Sequence, residues 1–117
     1  MTTTEIAKRM VELNRVHDYE TIYSELYAPD AVSIENWGGE PQSYTGLEAI
    51  KAKAAGWSAT VAEIHETRVS EPLVADSSFA LTFYMDITYK ESGRTTMTEL
   101  AIYTVKDGKV VQEEFQA

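Results

Sequence analysis

The N-terminal half of the chain carries the hydrophobic spacing of helices. Residues 4–16 place apolar side chains at helical spacing, and Thr4 is predicted to cap the first turn. The same spacing predicts a second helix over residues 19–27, with Asp18 as its N-cap. A third helix is predicted to start near Gly46. The apolar positions of the three stripes are Ile6, Met10, Leu13 and Val16, then Tyr19, Ile22, Tyr23 and Leu26, then Leu47, Ile50, Ala54 and Trp57.

The segment between the second and third helices is predicted to form one wall and the rim of a pocket. Pro29 ends the second helix, and Ala31–Glu35 is a short segment whose residues favour a strand. Residues 36–44 contain Gly, Pro and Trp, so we predict an irregular loop there. Thr45 and Glu48 have the spacing of a capping box, which indicates the start of the third helix.

In the C-terminal half the hydrophobic period changes to two, which is typical of strands. The alternation predicts strands over Ala62–Glu71, Ser78–Lys90, Arg94–Lys106 and Lys109–Phe115. Between the last two, Asp107-Gly108 has the composition of a two-residue hairpin turn. Helices that precede a run of strands indicate an α+β domain whose sheet curls around the helices. We therefore predict one α+β domain over residues 1–117.

The composition restricts the classes of partner. The chain has 19 Asp and Glu against 10 Lys and Arg, which gives a net charge of −9. Because nucleic acids and anionic membranes bind clustered Lys and Arg, we expect neither as a partner. The absence of cysteine excludes disulfides and thiolate chemistry. No apolar run reaches the roughly 20 residues of a membrane helix, and no signal-peptide core is present, so we expect a cytoplasmic protein.

Three motifs of the chain resemble a known family. They are the helix-to-strand joint Leu26–Ala31, the helix start Tyr44–Ile50 and the terminal hairpin Tyr103–Val111. On these motifs the chain resembles the SnoaL-like branch of the nuclear transport factor 2-like superfamily. The resemblance covers the whole chain and implies the cystatin-like cone fold, a curved antiparallel sheet of about four to six strands wrapped around the N-terminal helices. It implies no single reaction, because the members include isomerases, cyclases, dehydratases, hydrolases and proteins with no known activity.

The ketosteroid isomerase members of the superfamily allow a comparison residue by residue. The resemblance places Glu35 where these enzymes carry their general base, at the end of the first strand. It places Val11 and Ala101 where they carry two oxyanion donors, a tyrosine and a protonated carboxyl. Because oxyanion stabilisation is usually the largest catalytic contribution, these replacements argue against steroid-type enolisation. The pattern of the polyketide cyclases, which depends mainly on one carboxylic acid in the pocket, is easier to satisfy.

Strand alternation and the resemblance together predict which side chains face the pocket. If the Ala101 position faces inward, Glu99 and Tyr103 on the same strand also face inward. The remaining inward positions are predicted to be Met97 and Val105, then Val111, Glu113 and Phe115, then Tyr84, Asp86 and Thr88. A shift of one residue in register would exchange the two faces of a strand.

Four side chains are candidate catalytic groups: Glu99, Asp86, Glu35 and His65. Glu99 is the first choice for an acid, because an apolar pocket would raise its pKa and keep it partly protonated. Asp86 would pair with Glu99 as acid and base if both face one cavity. The alternative for Asp86 is an exposed position or an ion pair with Arg68. Glu35 is either a second base or a solvated strand end. His65 suits proton transfer near neutral pH, or is a structural or exposed histidine.

Five further side chains are candidate substrate-binding residues: Trp37, Tyr84, Tyr103, Glu113 and Phe115. The aromatic side chains would line a cavity for a flat or apolar ligand, and their alternative role is packing in the core. The chain has no metal-binding spacing such as His-x-x-x-His. We therefore predict neither a metal nor another cofactor.

These candidates predict a small-molecule pocket protein. The expected chemistry is carboxylate-mediated proton transfer, of the isomerase, cyclase or dehydratase kind, on an apolar or cyclic substrate. Whether the chain is an enzyme stays open at this point. The alternatives are a non-catalytic ligand-binding protein and a homodimerising interaction domain.

A homodimer is predicted from the second face of the sheet. With Asp86 facing inward, Phe83 and Met85 would face outward beside Leu100 and Ile102. A sheet that is apolar on both sides needs two coverings. The helices would cover one face, and a second copy of the chain would cover the other.

Overall fold

Seven strands and three helices form the fold, and the predicted α+β cone class is confirmed. The computed structural model describes residues 1–117 without a gap. The helices are α1 (Thr3–Arg15), α2 (Tyr19–Thr21), which continues as a π-helical turn (Ile22–Leu26), and α3 (Leu47–Ser58). The strands are β1 (Tyr27–Asn36), β2 (Gln42–Thr45), β3 (Val61–Val69), β4 (Leu73–Val74), β5 (Ser78–Tyr89), β6 (Gly93–Lys106) and β7 (Lys109–Gln116). β2 and β4 bring the curved, unclosed sheet to seven strands, more than the predicted four to six.

The sheet has the strand order β2-β1-β7-β6-β5-β3, and β4 shares the edge of β5 with β3. Its neighbours pair antiparallel except β1 and β7, which run parallel. The hairpin between β6 and β7 turns at Asp107 and Gly108, both of which have positive φ. This is the conformation that an Asp-Gly turn favours, so the predicted turn is confirmed.

The helix caps differ from the prediction at two of the three helices. Thr2, and not Thr4, caps α1, because its hydroxyl accepts from the Glu5 amide while the Glu5 carboxylate accepts from the Thr2 amide. Asp18 caps α2 as predicted, by accepting a hydrogen bond from the Thr21 amide. The cap of α3 is Gly46 with a φ of +92°, and no side chain caps this helix. The predicted Thr45 box is absent because Thr45 is held in the ladder between β2 and β1.

β1 is longer than predicted, and a strand lies inside the predicted loop. β1 begins at Tyr27, so Pro29 lies inside this strand. Pro29 is therefore not the residue that ends the second helix, which stops at Leu26. The pairing of β1 with β7 is irregular between Tyr27 and Val32, and an irregular stretch of this kind tolerates a proline. Residues 42–45 form β2 at the sheet edge, so the irregular loop is confined to the Gly/Pro segment before them.

The facing of β5 is opposite to the prediction. Residues directly opposite in a ladder share a face, and Phe83 lies opposite Glu99 while Met85 lies opposite Met97. The odd-numbered side chains of β5 therefore share the inner face with Glu99. The side chains predicted to face inward, Tyr84, Asp86 and Thr88, lie on the outer face.

Burial of apolar surface explains this choice of face. The inner set includes Phe79, Leu81 and Ile87, none of which is more than 2% exposed. Burying one such side chain contributes about 1.5–3 kcal/mol, whereas burying Asp86 without a partner would cost free energy. The inward facing predicted for β6 is observed, since Ala101, Tyr103 and Val105 are buried.

On β7 a register shift changes one inward position. The pairing of β6 and β7 shifts between Thr104 and Val105, so that Val105 lies opposite Val110. Val110 is therefore fully buried in place of the predicted Val111. Past the shift, Glu113 is buried opposite Tyr103.

The core occupies part of the inner face of the sheet. α1 packs against β3, β4 and β5, and α3 packs against β1 and β2. A cluster of 16 buried residues joins α1 and the π-helical turn to the inner side chains of the strands. The two helices leave part of the inner face uncovered between them, and the cavity described below lies there. None of the helices has both the length and the apolar character needed to cross a membrane.

The premise of the homodimer prediction is only half present. Leu100 and Ile102 lie on the outer face of β6, opposite Thr82 and Ala80. Phe83 and Met85, however, face the interior, so the outer face of β5 carries Thr, Tyr and Asp side chains instead. The homodimer stays a prediction.

Candidate functional site

A cavity of about 420 Å³ opens between the helices and the inner face of the sheet. Of its 26 lining residues 17 are hydrophobic, so ionisable groups that face it are poorly solvated. Cavities that hold small organic ligands are typically about 300–1,000 Å³ and mostly apolar. The aromatic lining residues are Tyr19, Tyr23, Tyr27, Trp37, Trp57, Phe83, Tyr84, Tyr103 and Phe115.

Lys53 of α3 is the centre of a polar network in this cavity. Its ammonium donates to Ser33 Oγ at 2.7 Å and to Glu113 Oε2 at 3.2 Å. It also lies 3.4 Å from Glu35 Oε1 in an ion pair. The first two contacts are hydrogen bonds, and the third is an ion pair. The ammonium also lies 4.8 Å from the ring centre of Phe115.

Glu113 of β7 accepts hydrogen bonds from three side chains that lie on two elements, β1 and α3. Tyr27 OH donates to Oε1, while Ser33 Oγ and Lys53 Nζ donate to Oε2. The Glu113 side chain is only 4% exposed, and a buried carboxylate is stable only when it is paired and hydrogen-bonded. Burial, and next the negative charge of Glu113, hold the pKa of Tyr27 well above its usual value. Tyr27 therefore stays a neutral hydrogen-bond donor to Glu113.

Glu99 of β6 faces the same cavity but belongs to none of these hydrogen bonds. Burial raises its pKa to about 7, and the nearby charges of Glu35 and Glu113 add to the increase, while Lys53 opposes it. At neutral pH this carboxyl group is therefore divided between its acid and its ionised form. A group with a pKa near the working pH is suited to both donating and accepting a proton.

Tyr103, four residues after Glu99 on β6, forms another part of the cavity wall. Its ring stacks on Phe79 at 4.9 Å and meets Phe115 edge to face at 6.4 Å. Burial raises the pKa of Tyr103 well above its usual value, and the charge of Glu113 contributes to the same effect. Tyr103 is thus a neutral, rigidly packed surface for a ligand.

Most of the predicted site residues line the cavity. Among the predicted catalytic groups these are Glu99 and Glu35, and among the predicted binding groups Trp37, Tyr84, Tyr103, Glu113 and Phe115. Tyr84 contributes although it belongs to the outer set of β5, and Arg68 lies over its ring at 4.4 Å. His17 also lines the cavity and shares a hydrogen bond of 3.0 Å with Thr67 Oγ1.

Asp86 and His65 are not part of the cavity lining. Asp86 accepts two hydrogen bonds from Arg94, at 3.0 and 2.9 Å, and these hold its pKa below the usual range. It therefore forms no acid–base pair with Glu99, and its partner is Arg94 and not Arg68. His65 shares a hydrogen bond of 2.7 Å with Thr88 Oγ1, a residue of the outer set of β5. Both corrections follow from the register of β5.

Three network residues, Lys53, Ser33 and Tyr27, were not predicted from the sequence. A signal for Lys53 was present, since it falls three residues after Ile50 and four before Trp57, within the apolar stripe of α3. Ser33 alternates with the buried Ala31 and with Glu35 on β1. A lysine inside an apolar stripe indicates a buried partner.

Comparison with known proteins identifies the family. The family model described as "SnoaL-like domain" matches residues 1–116. A Mesorhizobium loti structure, described as a candidate SnoaL-like polyketide cyclase and, in brackets, a carbohydrate phosphatase, is 38% identical, with a TM-score of 0.89 and 98% of each chain covered. No curated protein is significantly similar to the chain.

More distant structures share the fold. A Xanthomonas campestris protein of unknown function with a cystatin-like fold is 14% identical, with a TM-score of 0.80, 98% of this chain and 89% of that chain covered. A Jannaschia structure, described as a candidate SnoaL-like polyketide cyclase, is 15% identical, with a TM-score of 0.78 and 97% and 83% covered. With the family match over nearly the whole sequence, the chain belongs to the SnoaL-like domain family.

Proposed function

We propose that the protein catalyses proton transfer on an apolar or cyclic small molecule, in an isomerase-, cyclase- or dehydratase-like reaction. The observation that carries this proposal is Glu99, a carboxyl group with a pKa of about 7 that faces a mostly apolar cavity. A general acid or base is most effective when its pKa lies near the operating pH. Membership of the SnoaL-like family supports the same class of function.

In this proposal Glu99 and the network have separate roles. The ionised Glu99 takes a proton from a carbon atom of the substrate, and its acid form returns the proton at another position. The network of Lys53, Glu113, Ser33 and Tyr27 fixes the polar wall of the cavity. Lys53 already makes two hydrogen bonds and one ion pair within this network, so we assign it a structural role and not that of an oxyanion donor.

A generic proton-abstraction substrate tests the proposal without the natural substrate. 5-Nitrobenzisoxazole is aromatic, loses one carbon-bound proton to a base, and yields a phenolate that stabilises its own charge. We expect catalysed ring opening whose rate rises with pH and levels off above about pH 7, because the ionised form of Glu99 is the base.

Variants assign the reaction to Glu99. Glu99→Gln should lower the catalysed rate about 100-fold or more, the usual contribution of a general base. Glu114→Gln is the matched control, because Glu114 lies on β7 with the facing opposite to that of Glu113. A rate that Glu99→Gln leaves unchanged would contradict the proposal.

The second candidate function is ligand binding without catalysis. It is favoured because Glu99 is the one carboxyl group of the cavity lining without a hydrogen bond or an ion pair, while Asp86 is paired with Arg94 outside the cavity. Binding of small aromatic molecules, with no ring opening above the buffer rate, would support this second function.

We also propose a homodimer formed through the outer face of the sheet. Leu100 and Ile102 lie partly exposed on that face of β6. Sedimentation velocity should detect a dimer for the natural chain and a monomer for Ile102→Lys. A natural chain that stays monomeric at high concentration would contradict the dimer.

A further inference from the structure

The cavity carries more negative than positive ionisable groups. Its lining includes three carboxylates, Glu35, Glu99 and Glu113, against the two cationic side chains Lys53 and Arg68. Arg68 forms an ion pair with Glu66, which lies two residues before it on β3. Lys53 is therefore the one cation left to balance the three carboxylates inside the cavity.

The charge of Lys53 is already divided between two of these carboxylates. Its ammonium lies 3.2 Å from Glu113 Oε2 and 3.4 Å from Glu35 Oε1. The Lys53 side chain is only 14% exposed, and it already donates to Ser33 and Glu113. An anionic ligand would therefore meet uncompensated negative charge, and in a poorly solvated cavity this repulsion is strong.

The wall around Glu99 is aromatic and apolar. Phe83 lies opposite Glu99 in the ladder, Met97 shares its face, and Tyr103 follows on the same strand. Aromatic faces attract cations that lie within about 6 Å of the ring centre. The protein already uses this contact, since Lys53 lies over Phe115 at 4.8 Å. A carboxylate without a partner beside aromatic rings is an environment that suits an organic cation.

We propose that the cavity binds an organic cation, a protonated amine or a quaternary ammonium group on an apolar or aromatic body, with its positive charge beside Glu99. The inference rests on the proposed function only in placing the substrate in this cavity, and it names the charge class of that substrate. A positive group on the substrate would also supply charge stabilisation that the engaged Lys53 cannot offer. The net charge of −9 on the whole chain favours the approach of cations.

Binding of a cation should be coupled to the ionisation of Glu99. The charged groups that act on Glu99 are Glu35 and Glu113, which favour its protonated form, and Lys53, which opposes them. A bound cation favours the ionised form, so its affinity should rise as the pH rises through about 7. The remaining ionisable groups of the lining are His17, Tyr19, Tyr23, Tyr27, Arg68, Tyr84 and Tyr103.

Three probes of similar shape but different charge test the proposal by titration calorimetry. They are benzyltrimethylammonium, its neutral carbon isostere neopentylbenzene, and the anion phenylacetate. We expect the cation to bind about tenfold or more tighter than the isostere at about pH 8.5, and phenylacetate to bind weakest. The preference for the cation should shrink at about pH 6, where Glu99 is mostly protonated. Failure of the cation to bind, or a preference for either other probe, would overturn the proposal.

Glu99→Gln separates charge from shape. It should lower the affinity for benzyltrimethylammonium about tenfold, abolish its pH dependence near 7, and leave the affinity for neopentylbenzene unchanged. Glu114→Gln should change none of these values. An unchanged affinity for the cation in Glu99→Gln would place its charge elsewhere and overturn the proposal.

The ring-opening assay distinguishes this inference from the proposed function. If the protein binds the cation but does not catalyse the ring opening of 5-nitrobenzisoxazole, the proposed function is contradicted and the inference of cation binding is supported. Catalysis by Glu99 with no preference for the cation would remove the inference alone. If both hold, benzyltrimethylammonium should inhibit ring opening competitively.

Discussion

The inner and outer faces of the sheet each carry a carboxylate in the middle of a strand, and the surroundings ionise the two differently. On the inner face, burial and neighbouring carboxylates raise the pKa of Glu99 to about 7. On the outer face, two hydrogen bonds from Arg94 hold the pKa of Asp86 below its usual range. The two side chains have nearly the same chemistry, so position alone accounts for the difference.

A second pair on β7 leads to the same conclusion. Glu113 and Glu114 are adjacent in sequence, but only Glu113 is buried in the cavity network. One step along the strand therefore separates a buried carboxylate that needs a cation as its partner from a carboxylate on the outer face. On a strand, the side of the sheet therefore decides whether a carboxylate is available for chemistry.

The largest expected effect comes from removing the cation of the inner face. Lys53→Met should lower the free energy of unfolding by about 4 kcal/mol, because it leaves the buried Glu113 without its charged partner. Urea unfolding measures the loss. Lys51→Met on the same helix is the control and should have little effect. An equal loss in both variants would show that Lys53 contributes no more to stability than a lysine outside the network.

The next effect is the pH dependence that Glu99 gives to stability. Its pKa in the folded protein, about 7, lies above its ordinary value of 4.5, so the folded state binds the proton more tightly. The resulting stabilisation, about 3 kcal/mol, is fully present below about pH 4.5 and is lost as the pH rises through about 7. The difference in unfolding free energy between the natural chain and Glu99→Gln should fall by this amount over that range. A flat difference would mean that the inner face does not perturb Glu99.

A smaller effect is expected from the hydroxyl that holds Glu113. Tyr27→Phe removes one donor from a buried carboxylate and should cost about 2 kcal/mol of unfolding free energy. Tyr44→Phe is the control, because the Tyr44 hydroxyl donates to Gln42 at an exposed position. Thermal unfolding of the two variants gives the comparison. If Tyr27→Phe were no more costly than Tyr44→Phe, the Glu113 network would not depend on this hydrogen bond.

The smallest effect is expected on the outer face. Asp86 has a lowered pKa in the folded state, so its stabilisation is present above its ordinary value of 3.8 and is lost as the pH falls through the lowered pKa. Asp86→Asn should therefore affect stability only slightly at neutral pH, since the pair with Arg94 is near solvent. The pH midpoint of ring opening should not move. A shifted midpoint would show that Asp86 affects the reaction, and would contradict the conclusion that only the inner face carries the site.

Patterns that depend on neighbours along the chain were predicted well. The spacing of α1 and the Asp107-Gly108 turn are local, because helix faces and tight turns depend on a few consecutive residues. The facing of Glu99 and Tyr103 followed from alternation on one strand, once the Ala101 position was taken to face inward. β2 and β4 were missed because both are short strands whose pairing depends on a partner strand.

The candidate site was only partly predictable, because its network joins distant parts of the chain. Lys53 meets Ser33 and Glu113 across separations of 20 and 60 residues. No local pattern contains the partners of such a network. The facing of β5 was missed for a related reason, since its two sets of side chains both include residues that favour strands.

The sequence by itself determined the α+β class and the order of the helices and long strands, for which local spacing, turn chemistry and alternation are enough. The inward facing of Glu99 followed from alternation together with the family resemblance, which places the Ala101 position inward. Only the tertiary structure decided that Asp86 lies outside the cavity, that Lys53 serves Glu113 and Glu35, and that Glu99 has a pKa near 7. The physical reason is that register, burial and charge balance depend on groups that the fold brings together from α3, β1, β6 and β7.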